Sequence, residues 1–429
     1  MIRTPFVLRG AAANPRGSRE MDFWPDATIA VDEKGIIRYA GKAAALPEQW
    51  QPVAQQRVGG VLFPGFIDAH VHLPQLDCRG RFGTSLLNWL HDFIYPAESL
   101  FEDDAVARDV ARRFFQALTD AGTSTAMVFC TSHSRATDIA FEEAEASGLR
   151  VIMGNTLMDR GAPEQLCVPA MQAMIETERL IERWHRATPL LHFAVSPRFA
   201  PACSSELLRQ AGVLAAKYDL HIQTHFNESL QEITSVRAIF PQTAHYAAVY
   251  HEAGILASKT VLGHSVHTSD SEMTLLAESG TAVAHCPDSN LFLGSGRFPL
   301  ELHEQYGIRV ALASDVGAGT TLNMLSVMRS MCHVQGRSLH PLLPLFLATL
   351  GGAQALNLQD ETGSLTPGKS ADIIVIPFPG NSLDSSELRS LTAVDLASTL
   401  VYTTSCERVL RHWVGGRELP VTAATSTRQ

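Results

Sequence analysis

Eight apolar runs punctuate the middle of the chain, at 61–72, 123–130, 150–159, 191–199, 221–228, 260–266, 281–288 and 309–317. Between them lie polar stretches with helical periodicity, such as Asp103–Ala121 and Ser204–Tyr218. The runs are continuously apolar rather than alternating, as expected of strands covered on both faces. Eight strand-plus-helix units predict an α/β fold, a (β/α)8 TIM-like barrel, with any active site at the C-terminal ends of its strands.

The ends of the chain follow a different rhythm. Ala27–Gly41 carries two β-type runs around a turn signal and predicts a hairpin. Gly368–Ile376 and Val401–Leu419 supply further strand-like runs. The two termini are therefore expected to combine as a small flanking β-sandwich, residues 1–61 plus 365–429, beside a barrel at 62–364. The low-complexity tail Thr422–Gln429 is expected to fray.

Composition narrows the class. At 429 residues the chain exceeds the about 250 that a barrel needs and leaves room for the accessory domain. No apolar run is long enough to span a bilayer, and Arg9 interrupts the short apolar patch at the start, so neither a membrane protein nor a secretory leader is expected. A cytoplasmic, soluble protein is the default. The seven cysteines are odd in number, scattered, and lack a Cys-x-x-Cys, which predicts reduced thiols. A net charge of −10 without a Lys/Arg cluster argues against nucleic acid and for a small substrate.

The first run ends in Pro64-Gly65-Phe66-Ile67-Asp68-Ala69-His70-Val71-His72. Alternation along a strand puts His70 and His72 on one face, about 7 Å apart, where they can share a cation. His225, His264 and Asp315 close the fifth, sixth and eighth runs. Any single His at a strand end is more often structural, but this joint pattern at one end of a barrel points to a metal. Imidazoles plus a carboxylate suit zinc or iron with one position open to water. Asp315 ends an apolar strand, where an ionised carboxylate is costly without a cation. It could also take a proton from water. Glu228, three residues past His225, can lean into the same pocket and shuttle a proton. The fourth run, Leu191–Phe199, has no lysine to bridge two metals, so a single ion is expected. The His-x-Glu and Pro-Cys-x-x-Cys signature is absent, so any deaminase chemistry belongs to the barrel.

Longer strings carry a family resemblance. His70-Val71-His72-Leu73-Pro74-Gln75, Leu86-Leu87-Asn88-Trp89-Leu90, Tyr95-Pro96-Ala97-Glu98, Ser196-Pro197-Arg198-Phe199, His225-Phe226-Asn227-Glu228, His285-Cys286-Pro287-Asp288-Ser289-Asn290 and Ser314-Asp315-Val316-Gly317 resemble the amidohydrolase superfamily and, within it, the guanine deaminases. The resemblance implies zinc held by His70, His72, His225 and Asp315, with iron as the other candidate and no organic cofactor. It implies that His264 orients the attacking water, that Gln75 and Arg198 read a purine edge, and that Trp89 and Phe199 wall the ring. The implied reaction is hydrolytic deamination of guanine to xanthine in purine catabolism: water attacks C2, Glu228 protonates a ring nitrogen, and Asp315 and His264 manage the water proton. Similar proteins are usually homodimers. Arg198 also has a plainer reading as a structural ion-pair partner, and Trp89 as core packing. Phe226-Asn227 and Asp288 depart from the family pattern and leave room for a related ring such as 8-oxoguanine, a pterin or an aminotriazine. A non-enzymatic scaffold fits poorly, since every ligand position is filled.

Overall fold

The computed structural model describes residues 4–83, 85–378, 386–404 and 407–422. The chain opens with β1 (Phe6–Gly17), β2 (Glu20–Val31), β3 (Ile37–Lys42) and β4 (Gln55–Pro64). It then runs through β5 (Phe66–His72), β6 (Thr123–Phe129), β7 (Arg150–Gly154), β8 (Thr156–Leu157), β9 (Leu191–Pro197), β10 (His221–Phe226), β11 (Thr260–His264), β12 (Ala282–His285) and β13 (Val310–Leu312). It closes with β14 (Ile373–Ile376), β15 (Arg411–Val414) and β16 (Arg417–Leu419).

β5, β6, β7 and β9–β13 follow one another in parallel order, with the two-residue β8 paired to β9. Residues just past β13 stitch back to β5, through Asp315 N–H to His70 O and His72 N–H to Val316 O, both 2.9 Å. That closure makes a barrel. Its interior is filled by small residues such as Ala69, Ala194, Ala284 and Ala313 with Met127 and Ile152. The outer faces of the strands meet the helices through a larger core that includes Phe114, Phe115, Phe141 and Phe193. The predicted helices form where their end signals stand. Asp103 caps Asp104–Ala121, which stops at Gly122 with φ +82°, and Ser204 caps Ser205–Tyr218.

The termini build a seven-stranded sheet in the order β16-β15-β14-β4-β1-β2-β3, and β2–β3 is the expected hairpin. Leu8, Ile29, Val31, Leu62, Ile373, Val375 and Trp413 pack into one apolar cluster, so strands from both ends of the sheet share a core.

Two boundaries differ from the sequence reading. The first apolar run is two strands: β4 belongs to the flanking sheet, β5 to the barrel, and Pro64-Gly65 breaks them. A Cβ on Gly65 would lie 1.6 Å from Ser124 Oγ, so only glycine lets the chain cross there. Residues 61–64 and 66–72 are all buried, and hydropathy alone shows no seam. Further on, Val401 and Tyr402 are helical. They end a helix, Ala393–Tyr402, started by a Thr392/Asp395 capping box, with Leu396, Ala397, Leu400 and Val401 buried at helical spacing. Six cysteines are free thiols, and Cys406 lies outside the described residues. Thr422 is tied to Asp120, and the rest of the tail expected to fray, 423–429, also lies outside them. No helix among the described residues is long and apolar enough to cross a membrane.

The sheet is fixed to the barrel by a buried carboxylate. Asp372, 3% exposed, accepts from Arg150 at the start of β7 (3.3 Å), Thr362 Oγ1 (2.6 Å), Ser370 Oγ (2.7 Å) and Gly415 N–H (2.7 Å). Burial alone would raise its pKa, but the Arg150 guanidinium and these donors outweigh it and hold it below the ordinary carboxylate value. Its stabilisation is thus fully present above the unfolded carboxylate pKa of about 3.9 and is lost as pH falls through the lower folded value. Asp372→Asn should cost about 3 kcal/mol at pH 7, because the buried Arg150 loses its buried counter-charge and keeps only the half-exposed Glu361, at 3.0 Å, as an ionic partner. Denaturant melts should also show a weaker loss of stability below about pH 4 in the variant than in the parent.

Candidate active site

Four strand ends deliver the polar side chains that the sequence singles out. His70 and His72 come from β5, His225 from β10, His264 from β11, and Asp315 from the residue triplet after β13. The backbone at three of these ends takes an uncommon shape. Asn227 (φ +48°), His264 (φ +75°) and Asp315 (φ +48°) all sit in the left-handed region, which non-glycine residues enter at a cost of about 1–3 kcal/mol. Such conformations concentrate where side chains must be aimed rather than packed.

The aim is inward. His72 Nε2 lies 3.2 Å from His70 Nε2 and 3.2 Å from His225 Nε2. Asp315 Oδ1 lies 3.3 Å from His70 Nε2 and 3.2 Å from His72 Nε2. His264 stands at the rim, its Nε2 3.7 Å from Asp315 Oδ2 and 3.4 Å from Glu228 Oε2. His70, His225, His264 and Asp315 bring one donor atom each within 4.8 Å of one another. The tautomers follow from the outer nitrogens. His225 Nδ1 is 2.6 Å from the Arg198 carbonyl and His264 Nδ1 is 3.0 Å from Asn290 Oδ1, so both carry N–H there and present a lone pair at Nε2. Burial, reinforced by the neighbouring rings, lowers the pKa of His225 well below its ordinary value and that of His72 to about 4. Lone pairs of neutral imidazoles and a carboxylate oxygen facing one point repel unless a cation lies between them. This donor set fits a divalent metal.

One glycine makes the arrangement possible. His70's ring rests against Gly263 of β11, where a Cβ would lie 2.8 Å from His70 Cε1. Phe129, at the end of β6, packs against the rings of His72 (4.8 Å between centroids) and His225 (5.0 Å).

Glu228 follows β10 directly and is buried, accepting from Ser295 Oγ at 3.0 Å. Burial, with the Asp315 charge added, pushes its carboxyl up to about 8, so near neutral pH it holds a proton to give. Glu232 fixes its backbone by accepting Glu228 N–H at 2.8 Å, and Tyr246 O–H in turn anchors Glu232 at 2.8 Å.

A cavity opens over this cluster, lined by His72, Glu228, His264 and Asp315 on one side and by Gln75, Trp89, Arg198 and Phe199 on the other. All of the residues singled out from the sequence line it except His70, which lies behind His72 and Gly263, fully buried. Arg198 is an ion-pair partner, as its plainer reading expects, and also borders the cavity. Its Nη1 donates to Glu98 Oε2 at 2.6 Å and its guanidinium sits 5.3 Å from the Tyr95 ring centre, yet it still lines the cavity. Trp89 likewise combines packing with a fixed pose, its indole N–H donating to Arg81 O at 2.7 Å. Sequence reasoning missed the roles of Glu98, Ser295, Asn290 and Phe129. Glu98 and Asn290 stood inside recognisable strings, whereas Ser295 lies in an unremarkable Leu-Gly-Ser-Gly loop that only the fold brings to Glu228.

The chain is similar to known proteins over most of its length. The model of the Amidohydrolase family matches residues 61–419. A guanine deaminase of Escherichia coli K12 is 37% identical over 84% of this chain and 83% of its own length. The solved E. coli guanine deaminase superposes with a TM-score of 0.90, covering 97% of this chain and 99% of that one at 33% identity. A guanine deaminase from C. acetobutylicum, solved with guanine in its active site, superposes at 0.89 over 97% of this chain and 100% of that one at 26% identity.

Two substitutions probe the cluster through metal content. His225→Ala removes a donor and should leave purified protein without its stoichiometric metal by elemental analysis. Gly263→Ala keeps every donor but displaces His70, and chelator competition should show metal affinity weakened about 10–100-fold, as when the support of a ligand is lost. Unchanged affinity in Gly263→Ala would mean that His70 is not held against that strand.

Proposed function

The chain belongs to the amidohydrolase family, and from that premise we propose that it deaminates guanine by hydrolysis, releasing ammonia from C2 and leaving xanthine. One observation carries the reading: the imidazole–carboxylate cluster, the buried Glu228 carboxyl, Gln75 and Arg198 all line one cavity. Guanine deaminases at 37% and 39% identity over most of the chain, and a solved relative holding guanine in its active site, support the same substrate.

A divalent ion, zinc in this reading, would be held by His70, His72, His225 and Asp315 and would supply Lewis-acid polarisation and a more acidic water. The remaining steps belong to side chains. His264 Nε2, between Glu228 and Asp315, orients the attacking water toward C2 of the ring. Asp315 takes the water proton, its carboxylate standing 3.3 Å from His70 Nε2 and 3.2 Å from His72 Nε2. Glu228 gives its own proton to a ring nitrogen as C2 becomes tetrahedral, and Ser295 holds the carboxyl in place. The proton that Asp315 took from water then leaves with the amino group as ammonia, while the new hydroxyl on C2 gives its proton to Glu228 as the carbonyl forms and so restores the acid. Gln75 and Arg198 bind the far edge of the ring, and Trp89 and Phe199 exclude water around it.

The departures from the family strings fall outside the cavity lining. Phe226 is fully buried against Tyr246 (5.1 Å) and Tyr250 (6.1 Å). Asp288 accepts from Thr320 N–H (2.6 Å) and O–H (2.7 Å) and so pins the loop that follows Asp315. Neither touches the space a ring would fill, which favours guanine over an altered ring.

Ammonia release from a panel of guanine, 8-oxoguanine, a pterin and an aminotriazine tests the reading, with guanine expected to give the highest kcat/KM. Turnover of another ring with none of guanine contradicts it. Glu228→Gln, which keeps shape and loses the transferable proton, should lower kcat on the order of 10³-fold with metal content retained.

A further inference from the structure

Glu98 lies outside the reacting cluster, yet it organises the wall opposite. It sits in a short helix, Tyr95–Ser99, that follows a π-helical turn at Leu90–Ile94, an irregularity often found where a side chain must be re-aimed. Tyr95 and Glu98, three residues apart, both hold Arg198, one under its guanidinium and one by an ion pair. The second oxygen of Glu98 accepts from Gln75 Nε2 at 3.1 Å. On the other side of that amide, Gly317 N–H donates to Gln75 Oε1 at 3.2 Å.

These two contacts fix which way the amide faces. A carboxylate only accepts and a backbone N–H only donates, so the Gln75 NH₂ must face Glu98 and its oxygen must face Gly317. With the oxygen engaged by Gly317, what Gln75 offers the cavity is its second N–H. Arg198 also has nothing but donors. The wall therefore has a single polarity.

We infer that Glu98 is a positioning residue that turns Gln75 and Arg198 into a donor-only reader, which selects purines bearing a 6-oxo group and rejects those bearing a 6-amino group. A 6-oxopurine presents two neighbouring acceptors, O6 and N7, along one edge, whereas a 6-aminopurine presents an acceptor and a donor there. The amino N–H would meet an N–H of the wall, and both would be left unpaired in a buried site. This rests on the guanine reading for the cavity's occupant and extends it to the group that sets the choice.

Glu98→Gln is the direct test, since it is isosteric. The amide introduced there can accept from Arg198 with its oxygen only by turning its own NH₂ toward the Gln75 NH₂, so the Gln75 side chain loses its fixed direction. Hypoxanthine and adenine serve as probes because neither carries a 2-amino group and they differ at position 6. Calorimetry on metal-loaded parent protein should show hypoxanthine bound about 10- to 100-fold more tightly than adenine, the range for one well-made pair of base-edge hydrogen bonds. In Glu98→Gln the ratio should fall to within about threefold through weaker hypoxanthine binding, with metal content and melting temperature near those of the parent. For guanine itself, KM should rise while kcat changes little, because Glu98 contacts none of the reacting groups. A parent without the preference, or a variant that keeps it or loses affinity for both bases equally, overturns the inference. A parent that shows the preference yet releases no ammonia from guanine leaves this inference standing and overturns the deaminase reading instead.

Discussion

Asp315 is the constraint around which the rest is arranged. A carboxylate 4% exposed at the end of an apolar strand is strongly unfavourable alone, and the chain surrounds it with imidazole nitrogens at 3.2, 3.3 and 3.7 Å. The nitrogens and the carboxylate converge on one point, an arrangement that a cation between them would stabilise. Barrel closure uses the same residue: Asp315 N–H bonds to His70 O, and the next residue's carbonyl accepts from His72 N–H. Fold and site thus share backbone atoms. Disturbing the cluster pulls on the seam between the first and last strands.

In the mechanism proposed above, chemistry and recognition are separated around that centre. The proposed proton donor Glu228 and water-orienting His264 stand just past β10 and at the end of β11 and are held by Ser295 and Asn290. Groups that face the far edge of a ring come from the long connection after β5 and from the end of β9, and meet at Glu98. Gly317 ties the two halves, because the loop that carries Asp315 also donates to Gln75. On this reading a substrate seated between them is held at one edge and attacked at the other, and that geometry fixes which carbon meets the water.

Much of this was legible in the sequence. The eight apolar runs give the barrel, and His70, His72, His225, His264 and Asp315 stand at strand ends because in this fold side chains there converge. What was not legible depends on tertiary placement. The split of the run 61–72 at Gly65 leaves no hydropathic trace, since one sheet buries both halves as thoroughly as the other. The helix 393–402 hid because its buried residues fall in adjacent pairs, which read as strand until the Thr392/Asp395 cap is noticed. Ser295 has no local signal at all. Arg198 shows the opposite limit: its residue type allowed either an ion pair or a ligand contact, and the structure shows the ion pair at a position that also lines the cavity.

The central claim is that water is delivered to C2 of guanine within this one cavity. It is tested most directly by running guanine turnover in ¹⁸O-labelled water and locating the label in the product by mass spectrometry with fragmentation. The account predicts one ¹⁸O atom per xanthine, on C2, for each ammonia released, with the original O6 unlabelled. Label at another carbon, or product without label, would contradict it.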